Sequence, residues 1–224
     1  GMRRPGDLKL SIDRCLERLS TDYIDIMQFH VLNSSDYFQV VDELYPVMEK
    51  AKEEGKIRFI GFSEQFKTEP DHRVVKLALT AHPDLWDTVM LKYGILNQYA
   101  AKEALPLCEK HNIGVINMAV IREKLPNPQL LAEQIKIWKA EGLIMGGDIS
   151  EESPLDWLIR GDVQSVVDAG YKFAADHNAI STVLTGTSST RHLRANIDSL
   201  EIPSLPSFDK IRLERLFGDI AVYI

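Results

Sequence analysis

The sequence has few of the residues that mark disulfide-linked or metal-binding proteins. It contains only two cysteines in 224 residues, Cys15 and Cys108, and they lie far apart. Each lies in an apolar helical pattern, so we expect two buried free thiols, which fit a reducing cytoplasmic environment. The six histidines are scattered without the spacing of metal ligands, and we therefore predict no metal site.

Long apolar runs and an excess of basic residues are also missing. Without a long uncharged apolar stretch we predict no membrane span, and no secretion signal is apparent at the N-terminus. The formal net charge of −7 argues against a surface for nucleic acid or anionic lipid, although a local basic cluster could hold one phosphate. What remains is ordinary globular composition, 45% hydrophobic and 26% charged. We expect one domain over residues 1–224.

The first two residues, Gly1-Met2, are typical of a cleaved tag followed by a start methionine. On that interpretation the natural chain begins at Met2. The alternative is that further residues precede Gly1.

Short apolar strands alternate with helices along the chain. Strands are predicted over residues 23–30, 57–63, 87–96, 113–121 and 181–186. Helices are predicted after Asp7, over residues 38–54, 71–81, 100–111 and 189–200, between Ser153-Pro154 and about residue 177, and from Phe208. This alternation indicates a parallel sheet covered by helices on both faces.

Two architectures satisfy that pattern, an open doubly wound sheet and a (β/α) barrel. No G-x-G-x-x-G motif follows a first strand, so the dinucleotide-binding fingerprint of the open sheet is missing. Residues 122–153 interrupt the alternation with Pro126, Pro128 and Gly146-Gly147 around a helical piece at 130–141. Such a long insertion is typical of a functional or mobile loop.

Consecutive motifs resemble the aldo/keto reductase family. SIDRCLERLSTDYIDIMQFH, residues 11–30, is similar to the family's L-x-R-L helix end, its T-D-Y-I-D and a strand closing on His. GKIRFIGFSE, residues 55–64, resembles G-K-I-R-x-I-G-V-S-N. Residues 93–97 and 101–114 resemble Y-N-x-L and a helix ending in His-x-Ile-Gly. TVLTGTSSTRHLRAN, residues 182–196, resembles the last strand and phosphate loop, G-x-S-x-x-x-x-L-x-x-N.

The resemblance implies an eight-stranded TIM-type barrel of which this sequence contains the fourth to the eighth strand. We therefore expect an α/β fold, a (β/α) barrel that is incomplete, with five parallel strands and flanking helices. The fourth and eighth strands would then present unpaired edges, which promote association. We predict that these edges are covered in a homo-oligomer, or by the insertion and the C-terminal tail.

The resemblance also implies chemistry, because the family transfers a hydride between NADPH and a small carbonyl compound. A Tyr acid, a Lys and an Asp that tune it, and a His that orients the carbonyl share the work, and only His30 matches one of these four. A tyrosine with an ordinary pKa near 10 is a poor acid at neutral pH without a neighbouring cation. We therefore expect an NADP(H)-type oxidoreductase whose 224 residues by themselves do not reduce carbonyls.

The nicotinamide end of the implied cofactor site departs from the family. Ser63 matches the serine that hydrogen-bonds the nicotinamide carboxamide, but Glu64 replaces the usual Asn and can only accept hydrogen bonds when ionised. Met90 replaces a Gln, and Met118-Ala119-Val120-Ile121 replaces Y-S-P-L. The alternative is that these replaced positions are ordinary core.

The phosphate end is closer to the family pattern. Gly186, Thr187 and Ser188 precede a helix whose first amides favour anions, and Asn196 matches the position at the adenine end. His192 replaces an Arg or Gln beside Arg191 and Arg194, which leaves the choice between NADP and NAD open. The predicted cofactor residues are Ser63, Gly186, Thr187, Ser188, His192 and Asn196, forming a site for NADP(H) that is weakened or lost.

Two other functions stay open on the residues alone. One is a non-catalytic remnant that binds a nucleotide or a partner, and the other is a phosphate-binding TIM barrel outside this family. Asp25 is predicted to be a structural hydrogen-bonding group. The three tryptophans, Trp86, Trp138 and Trp157, are predicted to be packing residues.

Overall fold

The structure, a computed structural model, describes residues 4–145, 147, 149–201 and 204–224. Gly1, Met2 and Gly146, which enter the sequence predictions, lie outside the described residues. The chain divides into two compact units. The first unit contains the residues up to 91, residues 107–115 and Tyr223, and the second contains residues 92–106, 116–222 and Ile224. That residues 1–224 form a single domain stays a proposal.

Five parallel strands follow one another in chain order in the sheet. They are β1 (Ile24–Leu32), β2 (Ile57–Glu64), β3 (Thr88–Lys92), β4 (Gly114–Met118) and β5 (Thr182–Val183). In the described part of the chain, β1 and β5 are the two ends of the sheet, and the barrel is not closed. The predicted α/β fold with five parallel strands is confirmed.

The helices flank these strands in alternation. They are α1 (Pro5–Leu19), α2 (Tyr37–Gln39), α3 (Tyr45–Glu53), α4 (Arg73–Ala81), α5 (Ala104–Lys110), α6 (Pro128–Ala140), α7 (Val166–Ala175), α8 (Thr190–Glu201) and α9 (Ser207–Phe217). None of the described helices is long and apolar enough to cross a membrane.

The helix predicted over residues 38–54 is interrupted. A π-helical turn, Val40–Leu44, separates α2 from α3. Pro46 gives the physical reason, because its ring nitrogen carries no hydrogen and cannot donate to a carbonyl in the preceding turn. The predicted apolar face is nevertheless confirmed, since Met48 and Ala51 are buried.

The third strand is shorter than the predicted residues 87–96, because the backbone turns after Lys92. Gly94 and Asn97 exchange two backbone hydrogen bonds of 3.1 and 2.9 Å. A Cβ on Gly94 would lie 3.0 Å from the carbonyl oxygen of Val120, so a larger residue would require the backbone to shift.

The helix predicted from Ser153-Pro154 begins much later, at Val166. Only a short 3-10 turn, Asp156–Leu158, precedes it, and Gly161 then adopts a left-handed conformation with φ of 57°. Ser165 caps α7 by accepting a 3.0 Å hydrogen bond from the amide of Asp168.

The insertion at residues 122–153 contains α6, which packs within the second unit. The side chain of Asn127 caps α6 by accepting hydrogen bonds from the amides of Gln129 and Leu130, both at 3.1 Å. Trp138 is fully buried, and its ring centroid lies 5.9 Å from that of Phe217.

The core of the first unit is built around Trp86, which lies just before β3. The rings of Phe29, Tyr45 and Phe62 meet it edge-on at centroid distances of 6.1, 5.5 and 4.8 Å. These contacts join β1, β2 and α3 beneath one residue, in the geometry that aromatic pairs prefer. The predicted packing role of Trp86 is confirmed.

Candidate functional site

His30 lies on β1, two residues before the strand ends at Leu32. It is exposed and lines a cavity of about 560 Å³ within the first unit. The cavity wall combines apolar and polar side chains. The apolar ones include Leu8, Met27, Phe29, Leu32, Val40, Leu44 and Met48, and the polar ones include Ser11, Gln28 and Asp36. Among the described residues, no tyrosine or lysine lines this cavity.

Ser63 fixes a bulge in β1 beside His30. The register between β1 and β2 shifts between Phe29 and Leu32, and Val31 adopts a left-handed conformation with φ of 61°. The amide of Val31 donates a 2.8 Å hydrogen bond to Ser63 Oγ, so the bulged backbone keeps a partner. Ser63 is only 5% exposed, and its hydroxyl proton can serve as a second hydrogen bond. The structure thus brings His30 and Ser63 into one neighbourhood.

Glu64, in contrast, is held in the core. Its Oε2 lies 2.7 Å from Nδ1 of His72, and both side chains are buried. Burial, with a smaller contribution from the Glu64 carboxylate, raises the pKa of the Cys108 thiol to about 12. A carboxylate paired in this way is not placed to bind the amide of a ligand. The residue that replaces the family's Asn is therefore hydrogen-bonded in the core.

Cys108 is buried as predicted, whereas Cys15 is only half-buried. The prediction of two buried thiols is therefore wrong for Cys15. It lies on α1, a helix whose fully buried residues are Leu8 and Ile12. Both cysteines are free.

The second unit contains a groove of about 920 Å³. Its lining comes from the segment after β4 and from the loop between β5 and α8, together with Pro126, Ser165 and Val167. Four of the predicted cofactor residues, Gly186, Thr187, His192 and Asn196, lie in this lining. Ser188 is exposed in the same loop but is not part of the lining.

The loop is ordered by its own hydroxyls. Thr187 Oγ1 accepts a 3.1 Å hydrogen bond from the amide of Ser189, and Ser189 Oγ accepts one of 3.3 Å from the amide of His192. The other first-turn amides of α8 have no partner within the helix, and such amides attract anions. Arg191 and Arg194 are exposed in the same turn and add positive charge.

A hydrogen bond joins Asn196, on α8, to Thr185 at the β5 end of the loop. Its Nδ2 donates a 2.7 Å hydrogen bond to Thr185 Oγ1, and the hydroxyl of Tyr171 lies 2.8 Å from the same oxygen. Asn196 and Tyr171 are buried, and Thr185 and Asn196 both line the groove. The Asn196 amide nitrogen thus has a protein partner at the groove wall.

The groove wall after β4 is aliphatic where the family pattern has an aromatic residue. Met118, Ala119, Val120 and Ile121 all line it, although Val120 is itself buried. Ala119 has φ of 56°, a conformation that is uncommon outside glycine. Met90 is half-buried on β3.

Tyr171, Thr185 and His72 are site or near-site residues that the sequence patterns did not indicate. Tyr171 and Asn196 lie 14 and 11 residues from Thr185, which matches no helical or strand spacing. The sequence feature that could have indicated this contact is the hydroxyl of Thr185, immediately before the motif residue Gly186. Among the described residues, no group of three His, Cys, Asp or Glu side chains is placed to hold a metal ion.

Comparison with known proteins shows the family to which the chain belongs. Residues 3–130 match the aldo/keto reductase family, and the chain belongs to this family of oxidoreductases. A phosphate-binding barrel outside the family is thereby excluded.

Two relatives illustrate the range of activities in the family. The chain is 26% identical over 210 residues to the NADH-specific methylglyoxal reductase of Escherichia coli (strain K12), covering 88% of this chain and 60% of that protein. It is 26% identical over 206 residues to the L-galactose dehydrogenase of Arabidopsis thaliana, covering 88% and 59%. The chain therefore spans about three fifths of the length of these relatives.

A solved structure shows the same fold. The holo form of aldo-keto reductase AKR11C1 from Bacillus halodurans superposes with a TM-score of 0.69 at 23% identity, covering 98% of this chain and 69% of that one. The five strands and their helices thus have the arrangement of an aldo-keto reductase barrel.

Proposed function

We propose that this chain binds NADP(H) in the groove of the second unit, as part of an oxidoreductase that acts on small carbonyl compounds in the cytoplasm. One observation carries the proposal. Gly186, Thr187, His192 and Asn196, each predicted from the sequence motif, line a single groove at the start of α8. Its volume of about 920 Å³ lies in the range of small-molecule and cofactor sites.

The groove residues fit the phosphate and adenine ends of the cofactor. Thr187 and the first-turn amides of α8 suit a phosphate, and Asn196 suits a base. Arg191, His192 and Arg194 are exposed beside them and favour the additional charge of a 2′-phosphate. We therefore expect NADPH to bind more tightly than NADH, although a relative with 26% identity is a NADH-specific enzyme.

When bound, the nicotinamide supplies the hydride, and the residues of this chain bind and orient. For the first unit taken by itself, we propose only the roles that the sequence motifs assign, which for Ser63 is a hydrogen bond to a carboxamide. Ser63 Oγ accepts the amide of Val31 and keeps one hydroxyl proton to donate. His30 is exposed beside it and is the proposed residue that orients the substrate carbonyl.

We further propose that these 224 residues by themselves do not complete the proton transfer. No tyrosine or lysine is among the described residues that line the cavity at His30. Burial raises the pKa of Tyr37, of Tyr93 and of Tyr45, the last to about 12. A raised pKa makes each of these hydroxyls a weaker acid at neutral pH.

Calorimetric titration with NADPH and NADH tests binding, and NADPH oxidation with methylglyoxal tests turnover. We expect saturable binding, tighter for NADPH, with no turnover above the rate without protein. Arg191→Gln should weaken the binding of NADPH but not that of NADH. The control substitution Arg73→Gln, on α4, should change the affinity for neither nucleotide. Failure to bind either nucleotide refutes the cofactor site, and methylglyoxal reduction by this polypeptide refutes its inactivity.

A second candidate function is a non-catalytic member that binds a nucleotide or partner. The burial of Glu64 against His72 favours it, because a residue of the nicotinamide end has been turned to core packing. The two candidate functions can be distinguished with a longer chain that also carries the family's D-x-x-x-x-Y motif and a later Lys. It should reduce methylglyoxal under the first proposal and remain inactive under the second.

We also propose that the first unit associates with a second copy at the exposed end of the sheet. Within the described residues β1 pairs only with β2. Ile26 and Phe59 are neighbours in the β1–β2 register and are 41% and 43% exposed. An open edge with exposed apolar side chains favours strand pairing between chains.

A further inference from the structure

We propose that Tyr171 is a positioning residue that orients the amide of Asn196 through Thr185, so that the groove selects adenine over hypoxanthine. The inference rests on the proposed nucleotide binding and adds a determinant of base specificity to it. Neither Tyr171 nor Thr185 belongs to the motif that predicted the site.

The geometry is a chain of three polar groups. Thr185 Oγ1 lies 2.8 Å from the Tyr171 hydroxyl and 2.7 Å from Asn196 Nδ2. An amide nitrogen can only donate, so Thr185 Oγ1 is the acceptor of the second bond. No hydrogen bond to Oδ1 of Asn196 is present among the described residues, and Asn196 lines the groove.

Tyr171 decides which end of the Asn196 amide faces Thr185. Either hydroxyl can donate across the 2.8 Å contact, and we assign the Thr185 hydroxyl as the donor and the Tyr171 oxygen as the acceptor. With its proton engaged there, Thr185 presents only lone pairs to Asn196, which selects Nδ2. Without the Tyr171 hydroxyl the same proton is available for Oδ1, and the amide can turn over.

The tyrosine is suited to this role because it is fixed. It is 5% exposed on α7 and packs in a cluster with Val120 and Ala174. Thr185 lies two residues after the end of β5, next to Leu184, whose amide donates a 2.9 Å hydrogen bond to the carbonyl of Asn117. Both partners of the Thr185 hydroxyl therefore stand on packed helices, Tyr171 on α7 and Asn196 on α8.

The consequence is selection by hydrogen-bond type. With Nδ2 committed to Thr185, Asn196 offers the acceptor Oδ1 to a base, which matches the amino group of adenine. Hypoxanthine has a carbonyl oxygen at that position, so two acceptors would face each other. A site built to bond a donor discriminates strongly against the analogue that lacks it.

Calorimetric titration of the full chain with ADP and with IDP tests this, because the two probes differ only in the base. We expect the wild-type chain to bind ADP at least about tenfold more tightly than IDP. Tyr171→Phe keeps the ring but removes the hydroxyl. It should lower the ratio of the affinity for ADP to the affinity for IDP, called the ADP/IDP ratio, by about threefold or more. Thr185→Val should lower the ratio in the same way and serves if Tyr171→Phe does not fold.

Tyr99→Phe, in the same unit but outside the groove lining, is the matched control and should keep the wild-type ratio. An ADP/IDP ratio that is unchanged in folded Tyr171→Phe and Thr185→Val overturns the proposal. A wild-type ratio near one overturns it as well while leaving nucleotide binding intact. A wild-type chain that binds neither ADP nor NADPH overturns the proposed function and this inference together.

Discussion

At Ser63 and Glu64, two adjacent side chains have different surroundings. Successive residues of a strand point to opposite faces of a sheet, so neighbours in sequence need not share partners. Ser63 contacts the bulge next to His30, whereas Glu64 is paired with His72 in the core. Within the motif G-F-S-E, Ser63 therefore keeps its proposed ligand-binding role, whereas Glu64 has a structural one.

Replacing Glu64 by Gln should cost stability. The substitution keeps the shape of the side chain but leaves His72 opposite a neutral amide in the core. We expect the free energy of unfolding to fall by about 2 kcal/mol, within the range for a buried polar group whose hydrogen bond is disturbed. Urea denaturation measures this change.

Glu54→Gln is the control, because Glu54 pairs with Lys56 on the surface at 3.1 Å. Its effect should be smaller, because solvent screens an exposed ion pair. Equal effects of the two substitutions would show that the buried Glu64–His72 pair contributes no more to the free energy of unfolding than the surface pair does.

The buried Cys108 thiol should make stability depend on alkaline pH. Burial raises its pKa from 9.0 to about 12, so the folded chain holds this proton more tightly than the unfolded chain does. The stabilisation is therefore complete below about pH 9 and is lost as the pH rises toward about 12.

Unfolding free energies measured in urea between pH 8 and 10.5 test this. Cys108→Ala should reduce the loss of stability by up to about 1.4 kcal/mol per pH unit, the value for one proton. Cys15→Ala, at a half-buried position, should leave the slope as in the wild type. A wild-type slope in Cys108→Ala would contradict the role assigned to burial.

At the scale of elements, the contact between β2 and β3 depends on a glycine. Gly61 pairs with Thr88, and a Cβ on Gly61 would lie 2.1 Å from Thr88 Oγ1 and 2.3 Å from its carbonyl oxygen. The carbonyl belongs to the backbone and cannot rotate away, so the strands would have to separate.

Gly61→Ala should therefore lower the free energy of unfolding by about 3 kcal/mol, within the range of overpacked sites. Gly6→Ala, in α1, is the matched control, because a Cβ there meets nothing within 4 Å. It should be neutral or slightly stabilising. Thermal and urea unfolding of both variants provide the comparison, and a stable Gly61→Ala would mean that β2 and β3 adjust freely.

The elements themselves were largely predictable, and the errors have local causes. Periodicity located all five strands, because a buried parallel strand is a short apolar run. It overran at β3, where a turn closed by Gly94 and Asn97 follows, and at α7, where Gly161 delays the helix. It also missed the π-helical turn before Pro46. These three errors lie where a glycine or proline changes the backbone inside an apolar pattern. The strand predicted over residues 113–121 was also too long, since β4 ends at Met118 and Ala119 then has φ of 56°.

At the scale of the whole molecule, the open end of the sheet predicts concentration-dependent association. Ile26→Lys should reduce self-association measured by sedimentation velocity, because the charge would be desolvated in a strand-to-strand interface. Leu19→Lys is the control, since Leu19 is 64% exposed on α1 and not on a strand. A wild-type chain that stays monomeric at all concentrations would refute the proposed association.

The sequence by itself determined the order of strands and helices and the family, because these depend on local periodicity and on motifs with short spacing. The same motifs supply the proposed phosphate-loop residues. Only the tertiary structure decided that Glu64 pairs with His72 and that Tyr171 reaches Asn196 through Thr185. A hydrogen bond requires two groups within about 3 Å in a fixed direction. Groups on different elements meet that requirement only after the elements have packed.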